Sequence, residues 1–301
     1  LREALASIHD VSPDRVVITP GSKWAVFAIM YLLLKDGGNV IIPTPHWTAY
    51  ELIAKSLGVK VRFLRTELDS NWQIDAQELS KLIDGQTKLL ILCNPNNPTS
   101  VALKEENLEE IVSTVDERFI ILSDEVYSDI SFAKTKSILE FNGKNAVVKS
   151  FSKTFAMTGW RIGYSVTSEE LAEKMVKLNL MSVTNVPVFI QVAALKALEL
   201  RVQIAEKMRE EYRRRADLAC EVLSKTGLRF ATPDAPFYIF PKYSNLDSER
   251  FALDLLDQGV AVTPGTAFGE YREHFRIALT LPEQEISRGL DRVCRGIEES
   301  L

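Results

Sequence analysis

The chain has 301 residues, of which 46% are apolar and 26% are charged, and its formal net charge is −5. A chain of this length can bury a large core, and we expect it to form two domains. The mild negative charge and the lack of a basic block argue against nucleic acid or a membrane surface as the main partner. The longest apolar run, residues 24–34, is shorter than the ~20 residues of a membrane-spanning helix.

The cysteines and histidines give no pattern of a metal site. Cys93, Cys220 and Cys294 are odd in number and widely spaced, which indicates neither a disulfide framework nor a zinc site. We interpret all three as small, buried apolar residues. The first residues show no secretory signal pattern, so a cytoplasmic enzyme without a metal is the expectation.

The first elements predict a strand, a glycine turn and a helix. Residues 1–8 are typical of an amphipathic helix, residues 15–19 of a strand, residues 20–23 of a turn and residues 24–34 of a buried helix. This order places unpaired backbone N–H groups at a helix N-terminus, which attracts a phosphate. An ordinary strand–helix connection would give the same pattern.

A series of apolar strands follows, separated by helices. Strands are predicted at residues 40–43, 59–64, 88–93, 119–127 and 146–148, and helices from residue 45 onward, at 76–83 and at 103–115. Strands that are apolar throughout are typical of a parallel sheet covered on both faces. In such sheets ligands bind beyond the carboxyl ends of the strands, where this chain has Asn97 and Asp124. A buried Asp124 needs a cationic partner.

The loop after the strand at 146–148 carries the most informative residues. Lys153 lies among the small hydroxyl residues Ser150 and Ser152, and Arg161 follows eight positions later between two glycines. The chemistry that fits is a Schiff base between the lysine and a cofactor aldehyde, with the serines and the arginine binding an anion. A solvated loop with an incidental lysine is the plainer alternative.

The pattern changes in the last third of the chain. A strand at 164–166 and helices from Ser168 and at 187–200 precede a long charged helix at 202–224, which we expect to link two domains. Shorter strands at 228–231, 237–240, 260–263 and 275–280, with helices at 249–258 and 282–299, indicate a smaller α+β domain. The strand at 275–280 contains Arg276.

The stretch around Lys153 closely resembles the cofactor-lysine motif of the class I/II aminotransferases, the pyridoxal-phosphate enzymes of the aspartate aminotransferase fold. The resemblance extends over essentially the whole chain. It implies fold type I, an α/β architecture with a mostly parallel sheet flanked by helices and a smaller C-terminal α+β domain. We therefore expect a large cofactor-binding domain at residues 1–201 and a linking helix with the small domain at 202–301. Family members begin upstream of residue 1 with an arm that reaches the partner subunit, so the front end is expected to be truncated, disordered or incomplete, and a homodimer is expected.

The resemblance also implies a role for each matched residue. Lys153 would hold pyridoxal 5'-phosphate and move the substrate proton, Asp124 would pair with the ring nitrogen, and Tyr127 would hydrogen-bond the phenolic oxygen. Trp47 would stack on the ring and Asn97 would donate to the phenolic oxygen. Arg276 would bind the α-carboxylate of the substrate, and Trp47 and Asn97 would also contact the substrate. The cofactor phosphate would be bound by Gly21, Ser22, Lys23, Ser150, Ser152 and Arg161.

Two positions depart from the family pattern: Ser100 stands where the family has glycine, and Pro236 where a small residue is usual. The function implied is transfer of an amino group from an L-amino acid to a 2-oxo acid such as 2-oxoglutarate. Aspartate is the first choice of donor because the Trp47 motif is most similar to the aspartate-type enzymes; aromatic and alanine donors stay open. A carbon–sulfur β-lyase and a binding or regulatory module without turnover are the alternatives.

Overall fold

The computed structural model describes residues 1–115 and 117–299, and its main feature is a seven-stranded sheet. The strands are β1 Val16–Thr19, β2 Asn39–Thr44, β3 Lys60–Arg65, β4 Thr87–Cys93, β5 Ile120–Asp124, β6 Asn145–Ser150 and β7 Gly163–Val166. Their lateral order is β1-β7-β6-β5-β4-β2-β3. β7 pairs antiparallel with β1 and β6, and the other neighbours are parallel. The mostly parallel sheet expected from the apolar runs is thus confirmed.

Helices cover both faces of this sheet. They are α1 Arg2–His9, α2 Ser22–Leu34, α3 Ala49–Ser56, α4 Ala76–Leu82, α5 Glu105–Val115, α6 Phe151–Thr154, α7 Glu169–Ser182, α8 Val188–Glu199 and α9 Arg201–Leu223. Helices α2, α3 and α7 share one apolar core with the sheet, and α4 and α5 share another. None of the described helices is long and apolar enough to cross a membrane.

A three-stranded sheet follows α9, with the order β8-β10-β9. Its elements are β8 Tyr238–Ile239, α10 Ser248–Asp257, β9 Thr263–Pro264, β10 Phe275–Ala278 and α11 Glu283–Glu299. Side chains of α9, α10 and α11 pack with this sheet in a separate apolar core. The antiparallel pairing places β10, and Arg276 with it, at the centre of the small sheet.

Three predicted strands differ from the observed ones. Residues 228–231 form only an isolated bridge from Arg229 to Lys242, because the chain then leaves to hydrogen-bond Ser100 through the N–H groups of residues 234 and 235. Residues 260–262 lie outside β9, since the N–H of Val260 donates back to Leu255 at the end of α10. The strand predicted at 119–127 is β5, which ends at Asp124.

Candidate active site

The candidate site lies at the carboxyl ends of three neighbouring parallel strands. Asp124 ends β5, the asparagine-rich loop follows β4, and Ser150 ends β6 three residues before Lys153. This is the edge at which open α/β sheets bind their ligands. Tyr127, which the sequence placed in a strand, lies in the turn after β5 instead.

Asp124 is fully buried and only half satisfied. Its Oδ2 accepts a hydrogen bond of 2.8 Å from the Tyr50 hydroxyl, whereas Oδ1 has no partner at hydrogen-bonding geometry among the described residues. Burial raises the pKa of Asp124 to about 6, against the opposing effects of the Tyr50 hydroxyl, the Val126 N–H and the charge of Lys153. A buried acceptor without a partner is costly, so Oδ1 is suited to a ligand N–H.

Lys153 lies on the short helix α6, where a loop was expected. The Ser150 side chain forms the N-cap of this helix by accepting a 3.0 Å hydrogen bond from the Ser152 N–H. The Lys153 ammonium lies 5.8 Å from the centre of the Tyr127 ring and 5.5 Å from that of Phe237. The amine therefore lies among aromatic faces, half-buried and close enough to Asp124 to lower that residue's pKa.

A second group of residues forms a cradle at the start of α2, which we call the anion cup: Gly21, Ser22, Arg161 and Gly163. Pairing of β1 with β7 brings Thr19 opposite Gly163, and so brings these two distant loops together. A Cβ atom on Gly21, where φ is +85°, would lie 2.6 Å from Arg161 Nη2. A Cβ atom on Gly163 would lie 2.6 Å from the Ser22 nitrogen. Only glycine fits at both positions.

Trp47 and Lys23 contact each other. The Lys23 ammonium lies 4.9 Å from the centre of the Trp47 ring, a cation–π contact. The same indole packs edge-on against Tyr50, with the two ring centres 5.4 Å apart. Lys23 is therefore directed toward Trp47, while the helix start next to it belongs to the anion cup.

The side chain of Arg276 extends from the small sheet and contacts the loop after β4. Its Nη1 donates to Asn97 Oδ1 at 2.9 Å and its Nη2 to Thr263 Oγ1 at 3.3 Å, while its buried Nε has no partner within the described part of the chain. The guanidinium lies over the rings of Tyr238 at 4.3 Å and Phe268 at 4.9 Å. Burial lowers the pKa of Arg276. A buried cation with an unused donor is suited to a carboxylate.

The two positions that depart from the family pattern are in contact. Ser100 has φ +55°, its Oγ donates to the Pro236 carbonyl at 3.3 Å, and its carbonyl accepts from the N–H groups of Asp234 and Ala235. The hydroxyl that glycine lacks thus supports the same loop that carries the unusual proline.

Sequence reasoning missed three residues of this site: Tyr50, Thr263 and Tyr238. The sequence predicted a cationic partner for buried Asp124 and not the hydroxyl donor Tyr50, which is 74 positions away. The hydroxyl oxygens of Tyr238 and Tyr127 lie 3.5 Å apart. Tyr50 and Tyr238 both lie in stretches in which the sequence analysis drew attention to other residues, Trp47 and Pro236.

Comparison with known proteins identifies the family. The model of the aminotransferase class I and II family matches residues 1–293. An aspartate aminotransferase of Thermococcus kodakarensis is 35% identical over 302 residues, covering 100% of this chain and 78% of the relative. An aromatic-amino-acid aminotransferase of Thermococcus litoralis is 35% identical over 318 residues, covering 99% and 82%.

Solved structures agree with these relatives. The aspartate aminotransferase of Thermotoga maritima matches with a TM-score of 0.93 at 32% identity, covering 99% of this chain and 81% of that one. The aromatic aminotransferase of Pyrococcus horikoshii matches with a TM-score of 0.95 at 34% identity, covering 99% and 85%. The chain therefore belongs to the aminotransferase class I and II family.

Proposed function

We propose that this aminotransferase uses pyridoxal 5'-phosphate, held by Lys153, to move an amino group from an L-amino acid to a 2-oxo acid. The observation that carries the proposal is the buried Oδ1 of Asp124, which no described residue partners, in a site that also contains a lysine amine. The names of the relatives favour transamination over β-elimination and over a binding module without turnover.

The residues present fit the parts of this cofactor. Asp124 Oδ1, which has no partner among the described residues, would accept from a protonated ring nitrogen, and Lys153 would hold the aldehyde. The N-terminus of α2 and the Arg161 guanidinium offer donors for a phosphate, which the glycines of the cup leave room to approach. Ser150 and Ser152 adjoin this cup in our proposal, and Lys23 contributes positive charge.

The face and the oxygen of the ring have candidate partners as well. Trp47 offers an indole face for stacking. Tyr127 and Asn97 are assigned to the phenolic oxygen. Asn97 has its carbonyl oxygen occupied by Arg276, so its amide N–H₂ is the end left for donation.

When bound, the cofactor supplies an electron sink for the charge that develops as the substrate Cα–H bond breaks. Lys153 takes that proton as general base and returns it as general acid. Arg276 binds the α-carboxylate through its free donors and so fixes the direction of the Cα–H bond. Asp124 holds the ring nitrogen in its charged form.

The test is a visible absorption titration of the chain with pyridoxal phosphate, followed by L-aspartate and then 2-oxoglutarate. A protein-bound band that aspartate bleaches and 2-oxoglutarate restores is expected. Lys153→Ala should abolish the band, whereas Lys174→Ala, an exposed change on α7, should leave it unchanged. A band of equal strength in Lys153→Ala would refute the assignment of the lysine.

L-Aspartate is the donor we propose first, as the sequence motif around Trp47 suggested. Relatives of comparable identity are named for aspartate and for aromatic amino acids, so both must be assayed. Comparison of kcat/KM for L-aspartate and L-phenylalanine with 2-oxoglutarate as acceptor tests this choice. A higher value for L-phenylalanine would overturn it.

We also propose a homodimer and a division into two domains, residues 1–201 and 202–301, of which residues 300 and 301 lie outside the described part. Support for the dimer comes from apolar side chains left exposed on α7 and α8, among them Met181 at 79% and Phe189 at 71%. Sedimentation equilibrium of the chain should give twice the mass of 33.9 kDa. A monomer mass at micromolar concentration would contradict the dimer.

A further inference from the structure

We propose that Tyr50 is a positioning residue that presets both the Asp124 carboxylate and the Trp47 indole for the cofactor ring. The inference rests on the proposed function, since it concerns the same cofactor. Tyr50 lies near the N-terminus of α3 and is 1% exposed. Its hydroxyl donates to Asp124 Oδ2 at 2.8 Å, and its ring meets that of Trp47 edge-on, with an interplanar angle of 89°.

The first contact determines which carboxylate oxygen is available. Burial and the nearby Asp124 raise the pKa of Tyr50 well above its ordinary value, so the phenol remains a donor. Cys93, paired with Asp124 across β4 and β5, directs its thiol to the Pro95 carbonyl at 3.5 Å and does not compete for the carboxylate. With Oδ2 bound to Tyr50, Oδ1 is the acceptor left for the ring nitrogen.

The second contact fixes the plane on which the ring would stack. Thr48, between Trp47 and Tyr50, donates through its hydroxyl to the Ala267 carbonyl at 2.6 Å, which anchors the start of α3. Trp47 contacts both the Lys23 ammonium and the Tyr50 ring. One side chain thus contacts the proposed partner of the ring face and the proposed partner of the ring nitrogen, without a role in proton transfer.

Loss of the hydroxyl should change how cofactor affinity depends on pH. The titratable groups around Asp124 are Tyr50, Cys93, Tyr127 and Lys153. Burial raises the pKa values of Cys93 and Tyr127, so both stay neutral near pH 7. Tyr50→Phe removes the hydrogen bond that lowers the pKa of Asp124, so the effect of burial is less opposed and this pKa rises above about 6. The cofactor must then displace a proton from Asp124, and affinity is lost at a higher pH than in the parent chain.

The experiment is equilibrium dialysis of pyridoxal phosphate against the parent chain and Tyr50→Phe from pH 5 to pH 9. The ratio of the two Kd values cancels the titrations of the cofactor itself. A hydrogen bond to a charged group corresponds to about a tenfold effect or more, so we expect a ratio of about 10 near pH 6 that approaches 1 near pH 9. With an analogue in which CH replaces the ring nitrogen, the ratio should be close to 1 throughout.

Tyr164→Phe is the matched control. Tyr164 is also buried, and its hydroxyl lies 2.9 Å from His9 Nε2, away from Asp124. Its Kd ratio should be close to 1 at every pH. If Tyr50→Phe fails to fold by circular dichroism, 3-fluorotyrosine placed at residue 50 alone tests the same bond: the stronger donor should move the loss of affinity to lower pH.

The outcomes separate the two proposals. Failure of the parent chain to bind pyridoxal phosphate saturably would reject the proposed function. Binding by the parent chain with a Tyr50→Phe ratio that is 1 at every pH, or raised equally at every pH, would overturn the role of Tyr50. The same pH-dependent ratio with the analogue would overturn it as well, since the ring nitrogen would then be irrelevant.

Discussion

Replacement of Arg276 by lysine tests the substrate side of the site. The guanidinium has five N–H groups, of which the structure uses one on Nη1 and one on Nη2. Three N–H groups remain, one each on Nε, Nη1 and Nη2, so the guanidinium keeps enough donors for a carboxylate. Lysine keeps the charge but offers a single point of contact and does not lie flat over Tyr238.

The expected loss is that of one hydrogen bond to a charged group, ~1.5–3 kcal/mol, or about 10- to 150-fold in kcat/KM. Because the donor amino acid and the 2-oxo acid both carry the α-carboxylate, their kcat/KM values should fall by similar factors. Initial rates with L-aspartate and 2-oxoglutarate measure both, and the Kd of pyridoxal phosphate should be unchanged.

Arg250→Lys is the control, since Arg250 lies on the exposed face of α10 with an ion pair to Asp254. It should leave all three quantities within experimental error. A loss of less than about threefold in Arg276→Lys, or a loss confined to one of the two substrates, would refute the assignment of Arg276 to the shared carboxylate.

Two further predictions concern stability, and both are measured by urea unfolding. Asp129 binds Lys149 at 2.8 Å and Arg201 at 3.2 Å; burial raises its pKa, but these two cations outweigh burial and hold the pKa below its ordinary value. Asp129→Asn leaves two cations uncompensated and should cost ~3 kcal/mol at pH 7. Burial, with the charge of Lys149 adding to it, lowers the pKa of His9 to about 4, below its unfolded value near 6.5. The unfolded state therefore takes up the proton first, so His9 should reduce the free energy of unfolding as pH falls from 6.5 to 4, and His9→Gln should weaken that dependence.

Each of these predictions has a control. Asp254→Asn removes an exposed carboxylate 3.8 Å from Arg250 and should change stability by less than ~0.5 kcal/mol. An equal effect of Asp129→Asn and Asp254→Asn would show that the buried network contributes nothing. For His9, an unchanged pH dependence in His9→Gln would mean that other groups, such as the buried His274, account for the loss.

The large sheet was predictable because its strands are short apolar runs, which are typical of strands buried on both faces. Val147 and Val148 of β6, for example, are completely buried, as a strand covered on both faces requires. The strand predicted at residues 228–231 does not form, and residues 260–262 of the one predicted at 260–263 lie outside β9: the Val260 N–H donates to Leu255 at the end of α10, and the loop around Asp234 is held by the distant Ser100. Local patterns do not encode such contacts.

The site shows the same division between local and distant information. The positions of Lys153, Asp124 and Arg276 followed from the motifs around them. The structure has Asp124 and Lys153 at the carboxyl edge of the large sheet, and Arg276 on β10 of the small sheet in contact with Asn97 after β4. Tyr50 could have been found from the second oxygen of Asp124, which also needs a donor once it is buried. Which of the buried tyrosines supplies that donor depends on packing between α3 and β5, and no spacing in the sequence gives it.

The pairing of β1 with β7 has a consequence for the order of events during folding. The anion cup needs Gly21 and Arg161 side by side, and their contact depends on a strand pair whose members are separated by most of the large sheet in sequence. Contacts between such distant segments form late because closing a long loop costs entropy before the contact repays it. During synthesis on the ribosome, β1 has no partner strand until β7 has left the exit tunnel. The anion cup is therefore a product of the finished sheet, and its formation reports that the chain has folded.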